Sequence, residues 1–439
     1  MVIKFHVSAS AMAIAIGIII SEPAWANGIT ERVSVATGGR QANGYSFGAA
    51  LTPDGRFVAF ASDASNLVPG DTNGRTDVFV HDRQTGTTQR VNLGPGGVQP
   101  DGGNSGPPAI SGDGRLIAFQ SDASNLVRGD TNGKVDLFVH DRQTGTTQRV
   151  SVAAGGGQGN DHSYDPAISA NGRFVAFASD ASNLVPGDTN GRTDVFAHDR
   201  QTGTIRRVSV TTGGTQGNAN SYSPALSSDG RFVAFASYAS NLAPGDINRR
   251  LDVFVHDRKT GTTRRVSLAT GGGQSNGDSD SAAISADGRF IAFHSSASNL
   301  VPGDTNRADD VFVHDRQMGT TRRMSVSTSG SQGDNHSFDV AVSANGRWVV
   351  FYSGARNLVS NDTNDLIDVF VHDCQAGMTR RVSIATGGSQ GNDASYNAVI
   401  SADGRFVAFA SGASNLVPGD TNDISDVFVR SLRPDVPPP

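Results

Sequence analysis

Past the first 27 residues the hydrophobic residues come in bursts of four to six, and no burst shows a 3.6-residue period. Short apolar runs between Gly, Asp and Asn clusters predict strands and turns rather than helices. The bursts recur at a fixed interval. Asp/Asn-Gly-Arg followed by a large apolar residue stands at Asp54, Asp113, Asn171, Asp229, Asp287, Asn345 and Asp403, at spacings of 59 and then 58 residues. The third unit shows the expected elements. "PAIS" (Pro166–Ser169) is a short first strand, and Asn171-Gly172 is a two-residue hairpin turn that suits the positive φ angles of type I′. "RFVAFAS" (Arg173–Ser179) is a second strand, with Phe174 and Ala176 on one face and Val175 and Phe177 on the other. "DVFAHD" (Asp194–Asp199) is a third, and after "RQTG" comes "TIRRVSV" (Thr204–Val210), a more polar strand that befits an outer edge.

A strand apolar on both faces must be covered on both. Four-stranded antiparallel units repeated seven times, each burying what its neighbour exposes, predict an all-β, seven-bladed β-propeller. The ends of the chain argue for a closed ring. The seventh unit stops after its third strand, at "DVFVRSLRPDVPPP", while "ITERVSVATGG" (Ile29–Gly39) matches the outer-strand segment "TTRRVSLATGG". The N-terminal segment is therefore expected to supply the last blade's fourth strand. A closed ring leaves no free sheet edge, so a monomer is expected.

The first 26 residues read differently. Lys4, the apolar run "VSASAMAIAIGIII" and Ala24-x-Ala26 have the three parts of a secretory signal peptide cleaved after Ala26. The expected organisation is signal peptide 1–26, propeller 27–432 and Pro-rich tail 433–439, in a protein exported to the periplasm or secreted. The apolar run is too short for a comfortable membrane span. A net charge of −6 gives no reason to expect nucleic-acid binding. Cys374 is the only cysteine and excludes an intrachain disulfide.

The repeat "ISADGRFVAFAS…DVFVHDRQTGTTRRVS" resembles the WD-like repeats of TolB-type propellers, and the resemblance covers nearly the whole chain after residue 27. It implies a propeller of the cell envelope or outside the cell and names no partner. TolB itself has six blades behind an α/β domain. Here there are seven, and only two residues lie between the cleavage point and the closing strand, so the chain is not TolB itself.

In such a propeller the tight "DG" and "RQTG" turns share one face. The long second-to-third and inter-blade loops share the other, and long loops on a rigid scaffold are where binding usually sits. Each long loop carries Asp-x-Asn-x-x-x-Asp. In chain order these are Asp71, Asn73 and Asp77; Asp130, Asn132 and Asp136; Asp188, Asn190 and Asp194; Asp246, Asn248 and Asp252; Asp304, Asn306 and Asp310; Asp362, Asn364 and Asp368; and Asp420, Asn422 and Asp426. Alternating Asp and Asn could supply oxygens to Ca²⁺, the one ion the sequence suggests. Three side chains per loop are few, however, and no Glu closes the site. The same side chains could instead hold the loop's own backbone, with the equally repeated Asn66-Leu67 pair as part of a folded plug.

The "VHD" histidines (His81, His140, His198, His256, His314, His372, with Arg430 in seventh place) sit at equivalent points on separate blades and cannot converge on one atom. Residues repeated seven-fold, such as Gln41 and Ser46 and their equivalents, read as architecture, because an active site needs different residues in different roles. Ligand-face candidates are therefore sought where repeats differ: His162, Tyr164, Tyr222, His336, Phe338 and Tyr396, with Asp161, Asp165 and Asp339 near. No hydrolase, zinc or phosphate-loop motif is present. The expected role is a non-enzymatic binding or scaffold module for protein or envelope polysaccharide. The alternatives are a metal-assisted lyase or hydrolase acting on extracellular polysaccharide, which needs asymmetric His, Asp or Arg converging at the axial channel, and a calcium-stabilised adhesion-type propeller.

Overall fold

A computed structural model describes residues 28–432. The expected signal peptide, 1–26, and tail, 433–439, lie outside the described residues. Seven four-stranded antiparallel sheets form the ring. Six are built from consecutive strands. The seventh takes its outer strand from the start of the chain: Thr30–Arg32 pairs with Asp426–Ser431, Thr30 opposite Arg430 and Arg32 opposite Phe428. No helix among the described residues is long and apolar enough to cross a membrane.

Blade three shows how the expected strands fare. The second and third strands are Phe174–Ser179 and Asp194–Asp199, as the apolar pattern predicts to within a residue. The inner strand is Ser163–Ile168, beginning three residues before the expected Pro166. Ser163 and Tyr164 pair with Ser179 and Ala178, and a bulge before Ala167 absorbs one extra residue. The outer strand is shorter than expected, Thr204–Arg207. Beyond it Val208 still donates its N–H to the Val195 carbonyl, and the Ser209 hydroxyl bonds to Asp194.

Seven apolar clusters hold the ring, each drawing on two neighbouring blades. The cluster at the seam between blades seven and one joins Val58 and Phe60 to Phe406, Val427 and Val429. Every blade also packs a Phe on its second strand against the Phe opposite on its third, as in Phe60 and Phe79, centroids 5.9 Å apart.

The two kinds of turn do share a face. Arg173, after the first hairpin turn, forks onto Asp199 before the second at 2.9 and 2.7 Å. This hydrogen bonding holds the carboxyls of Asp199 and, through Arg115, Asp141 down at about 2. On the opposite face the long loops interlock. Asn183 Nδ2 donates to the Gln158 carbonyl at 2.8 Å, and Leu184 is fully buried beneath. The plug anticipated around Asn66-Leu67 is thus a repeated unit of the long-loop face.

Candidate functional site

The acidic loops hold a cation already, and it is an arginine. In blade three, Arg207 Nη1 lies 3.2 Å from Asp188 Oδ1, 2.8 Å from Asp194 Oδ2 and 2.6 Å from Gln216 Oε1. Ser209 Oγ donates to the other Asp194 oxygen at 2.5 Å. Asn190 Nδ2 donates to Asp194 Oδ2 at 2.9 Å and to the Gly217 carbonyl at 3.0 Å, while its oxygen accepts from the Arg192 N–H.

The other six loops repeat this cage. Arg90 bridges Asp71 and Asp77, and Arg149 bridges Asp130 and Asp136. Arg265 bridges Asp246 and Asp252, and Arg323 bridges Asp304 and Asp310. Arg381 bridges Asp362 and Asp368, and across the closure Arg32 bridges Asp420 and Asp426. The asparagines serve the loop as well. Asn73, Asn132, Asn248, Asn306, Asn364 and Asn422 donate their amides to Asp77, Asp136, Asp252, Asp310, Asp368 and Asp426. Their oxygens, the atoms offered to calcium in the sequence, accept the backbone N–H two residues on. The donor set expected for an ion is therefore engaged by an arginine and by the loop's own backbone, because the outer strand brings a guanidinium between the two carboxylates. Each outer strand, expected to be a polar edge, contributes one such nearly buried group. The signal was available, since one Arg is as constant across the units as the two Asp it joins.

The "VHD" histidines lie on separate blades, as expected. His256 Nδ1 meets Thr263 Oγ1 at 2.9 Å, and that hydroxyl donates to the Val210 carbonyl at the end of the preceding blade. The same His–Thr–carbonyl link recurs for His81, His140, His314 and His372. In blade three Ile205 replaces the threonine, and His198 Nδ1 is buried without a partner. Burial pushes His81, His140, His256 and His372 down to about 4. An unfolded histidine titrates near 6.5, so between that pH and about 4 the unfolded chain binds protons that the folded chain refuses. Thermal stability is expected to be flat above about pH 7 and to fall as pH drops through 6.5 toward 4. Melting curves across that range check this, and His256→Gln should lessen the slope; an unchanged melting temperature down to about pH 4.5 would contradict it.

The ligand-face candidates separate into two groups. Tyr164, Tyr222, Phe338 and Tyr396 are the second residues of four inner strands and stand at the long-loop mouth of the axial channel. Three of them are anchored. The Tyr164 hydroxyl donates to Asp180 at 3.1 Å, Tyr222 accepts from Asn220 at 2.7 Å and Tyr396 donates to Ser425 at 3.1 Å. His162 and His336 do a different job: the Nδ1 of His162 accepts the Val135 N–H of the preceding blade's loop at 3.0 Å, and the Nδ1 of His336 meets Asp309 of such a loop, 3.0 Å from its N–H and 2.8 Å from its carboxylate. Asn104, Asn220 and Asp278 do the same at equivalent places, so the two histidines are loop caps on well-separated blades. His336 also stacks on Phe338 at 5.6 Å, which brings it to the mouth.

The bulges place one residue per blade on a ring around the axis: Gly48, Pro107, Asp165, Ser223, Ser281, Asp339 and Asn397. All but Pro107 have a positive φ. Equivalent residues of neighbouring blades touch only near the axis, and these do. Ser281 Oγ donates to Asp339 Oδ1 at 3.3 Å, and Asn397 Nδ2 donates to Asp339 Oδ2 at 3.2 Å. A Cβ on Gly48 would lie 2.7 Å from the Pro107 Cβ. A non-glycine residue in this conformation costs about 1–2 kcal/mol, yet five blades accept it here. Asp165 is solvent-exposed, yet the protein crowded around it, and after that the Asp280 charge, push its carboxyl up. Burial also pushes Tyr164 up to about 12.

Beside Phe338 stands a residue that repeat comparison passes over, His294, edge-on at 5.5 Å and directly opposite Asp280. Its Nδ1 is buried with no partner. Tyr352 packs on the other side of Phe338 at 5.8 Å. Ser223, Ser281, Asn397, Asp280 and His294 were legible only as positions that vary within an otherwise constant frame. Among the described residues, no three His, Cys, Asp or Glu side chains are grouped so as to hold a metal ion.

No family model and no curated protein matches the chain. The solved structures it is similar to are propellers. An oligogalacturonate lyase in complex with manganese aligns with a TM-score of 0.54 and 12% identity, over 92% of this chain and 96% of that one. The β-propeller domain of the Trilobed protease from Pyrococcus furiosus gives 0.54 and 11%, over 89% and 95%. A putative TolB from Agrobacterium tumefaciens gives 0.40 and 14%, over 64% and 80%. At such identities the fold is what is shared.

Proposed function

We propose that this chain is a non-enzymatic binding propeller and that its ligand docks at the long-loop mouth of the axial channel. The observation that carries this is the contrast between frame and ring. The arginine cages, histidine links and Phe pairs repeat around the molecule, whereas the residues lining the mouth differ from blade to blade. Asp165, Asp280 and Asp339 set carboxylates among Tyr164, Tyr222 and Phe338. That mixture favours a protein segment presenting Lys or Arg, since carboxylates pair with the charge and aromatic faces with the cation. An envelope polysaccharide would stack on the aromatics and donate its hydroxyls to the carboxylates, but it would leave their charge uncompensated. Export through the N-terminal segment is part of the proposal, as is a monomeric ring. A metal-assisted enzyme would need donors converging on the channel, and a calcium-stabilised adhesion propeller would need the ion to displace the arginine from each loop's carboxylates.

Site-specific photocross-linking in the native host tests the reading. A photoreactive residue at Tyr222 should give a discrete protein adduct, and one at Thr144 on the tight-turn face should give none. The Tyr222 adduct should fall at least about tenfold when Asp165→Asn and Asp339→Asn are combined, the loss expected when charge-assisted contacts go. Adducts from Thr144 alone, or an adduct indifferent to the two aspartates, would refute it.

A further inference from the structure

Comparing the blades position by position singles out one seam. An arginine that follows the third strand of a blade lies over the large side chain that opens the second strand of the blade before it. Arg142 covers Phe57 at 4.6 Å, Arg258 covers Phe174 at 4.0 Å, Arg316 covers Phe232 at 4.5 Å and Arg83 covers Phe406 at 4.4 Å. Cys374 takes that place in blade six, where His372 keeps the ordinary link to threonine. In blade seven the place belongs to Leu432, which packs in one cluster with Trp348 of blade six. Two residues earlier, where the other six blades carry the "VHD" histidine, blade seven carries Arg430. At this seam alone the guanidinium that covers the neighbouring ring is lost and another is gained two residues earlier, on the strand itself.

A cavity opens where these exchanges meet. It measures about 690 Å³, against about 430 and 520 Å³ for the grooves at the seams between blades one and two and between blades three and four. Trp348, Met378, Ile384 and Leu432 give it apolar walls, and Arg430 lines it from the blade-seven side. A third departure borders it. Ser329 stands where the other six inter-blade loops have glycine (Gly38, Gly96, Gly155, Gly213, Gly271, Gly387), and its hydroxyl joins Ser327 at 2.8 Å and Ser331 at 3.2 Å.

Arg430 is 2% exposed. Its Nη1 donates to Thr30 Oγ1 at 2.7 Å and to the carbonyls of Ile384 and Ala385 at 3.1 and 3.3 Å. All three acceptors are neutral. Nη2 is buried without an acceptor. The seven loop arginines each face two carboxylates; this one faces none among the described residues. An uncompensated buried charge is strongly unfavourable, and burial pushes the guanidinium down to about 10. A volume of this size, with Arg380, Arg381 and several serines in its lining beside the apolar side chains, is that of a small-molecule site.

We propose that the cavity between blades six and seven binds a small organic anion, a carboxylate on an apolar body, with the anionic end toward Arg430 and the serine hydroxyls. This site is separate from the channel mouth, and neither reading depends on the other.

Calorimetric titration of the full chain with octanoate, and with octylamine as the cationic counterpart, tests it. Octanoate should bind saturably at one site and octylamine should not. Two variants restore the ordinary repeat and should therefore fold. Arg430→His meets Thr30, which stands where Thr88 receives His81, and should weaken octanoate by at least about tenfold. Leu432→Arg returns the side chain that covers the ring elsewhere and should abolish binding by filling the space. Melting temperatures of both should stay close to that of the parent chain. No octanoate binding at millimolar concentration, equal binding of octylamine, or undiminished binding by Arg430→His would each overturn the proposal.

Discussion

Arg207→Leu is expected to destabilise the protein by about 3–5 kcal/mol, among the largest effects of any single side chain in this ring. The guanidinium is the cation between Asp188 and Asp194, and Asp194 is fully buried. Its removal leaves that carboxylate to the Ser209 hydroxyl and the Asn190 amide alone. Arg206, the next residue and exposed, supplies the control: Arg206→Leu should move stability by no more than about 0.5 kcal/mol. Urea unfolding of the two variants makes the comparison, and an equal loss in both would show that the cage carries no special weight. The same preparation addresses calcium. With each loop's carboxylates engaged by an arginine, adding Ca²⁺ to chelator-stripped parent protein should leave its melting temperature where it was. A rise with several equivalents bound would mean that the ion displaces the arginine, and the loops would then be calcium sites.

A chain lacking residues 28–36 is expected to lose cooperative folding altogether. That segment supplies the outer strand of blade seven and with it Arg32, which bridges Asp420 and Asp426. It also supplies Ser34, whose hydroxyl donates to Asp426 at 2.5 Å, and the buried Val33 and Val35. Orphaning the buried carboxylates costs about 3–5 kcal/mol. Exposing the apolar side chains adds about 1.5–3 kcal/mol each. The sum reaches the whole stability of an ordinary domain, about 5–15 kcal/mol. Circular dichroism on heating should show no sharp transition, and a synthetic peptide of residues 28–39 added to the shortened chain should restore one. A cooperative melt within a few degrees of the parent would mean that the ring holds without its closing strand.

The architecture is legible in the chain order, because each unit repeats the same local instructions. Apolar residues on both faces of "RFVAFAS" demand a sheet stacked between sheets, Asp-Gly and Asn-Gly set the hairpins, and the displaced "ITERVSV" closes the ring. These are period-two and turn signals that need no partner to be read. Tertiary structure alone decided what the acidic loops hold. Asp188 and Asp194 meet Arg207 from a different strand, and a repeated Asp reads alike whether an arginine or an ion will face it. The axial ring was likewise out of reach. Residues 58 positions apart, such as Ser281 and Asp339, become neighbours only when seven inner strands converge on one axis. Nor does "DVFVR" announce that Arg430 is buried without a counter-charge. Chain order gives the residue types and their spacing, but a charge's neighbours, and so its energy, exist only once the ring has closed.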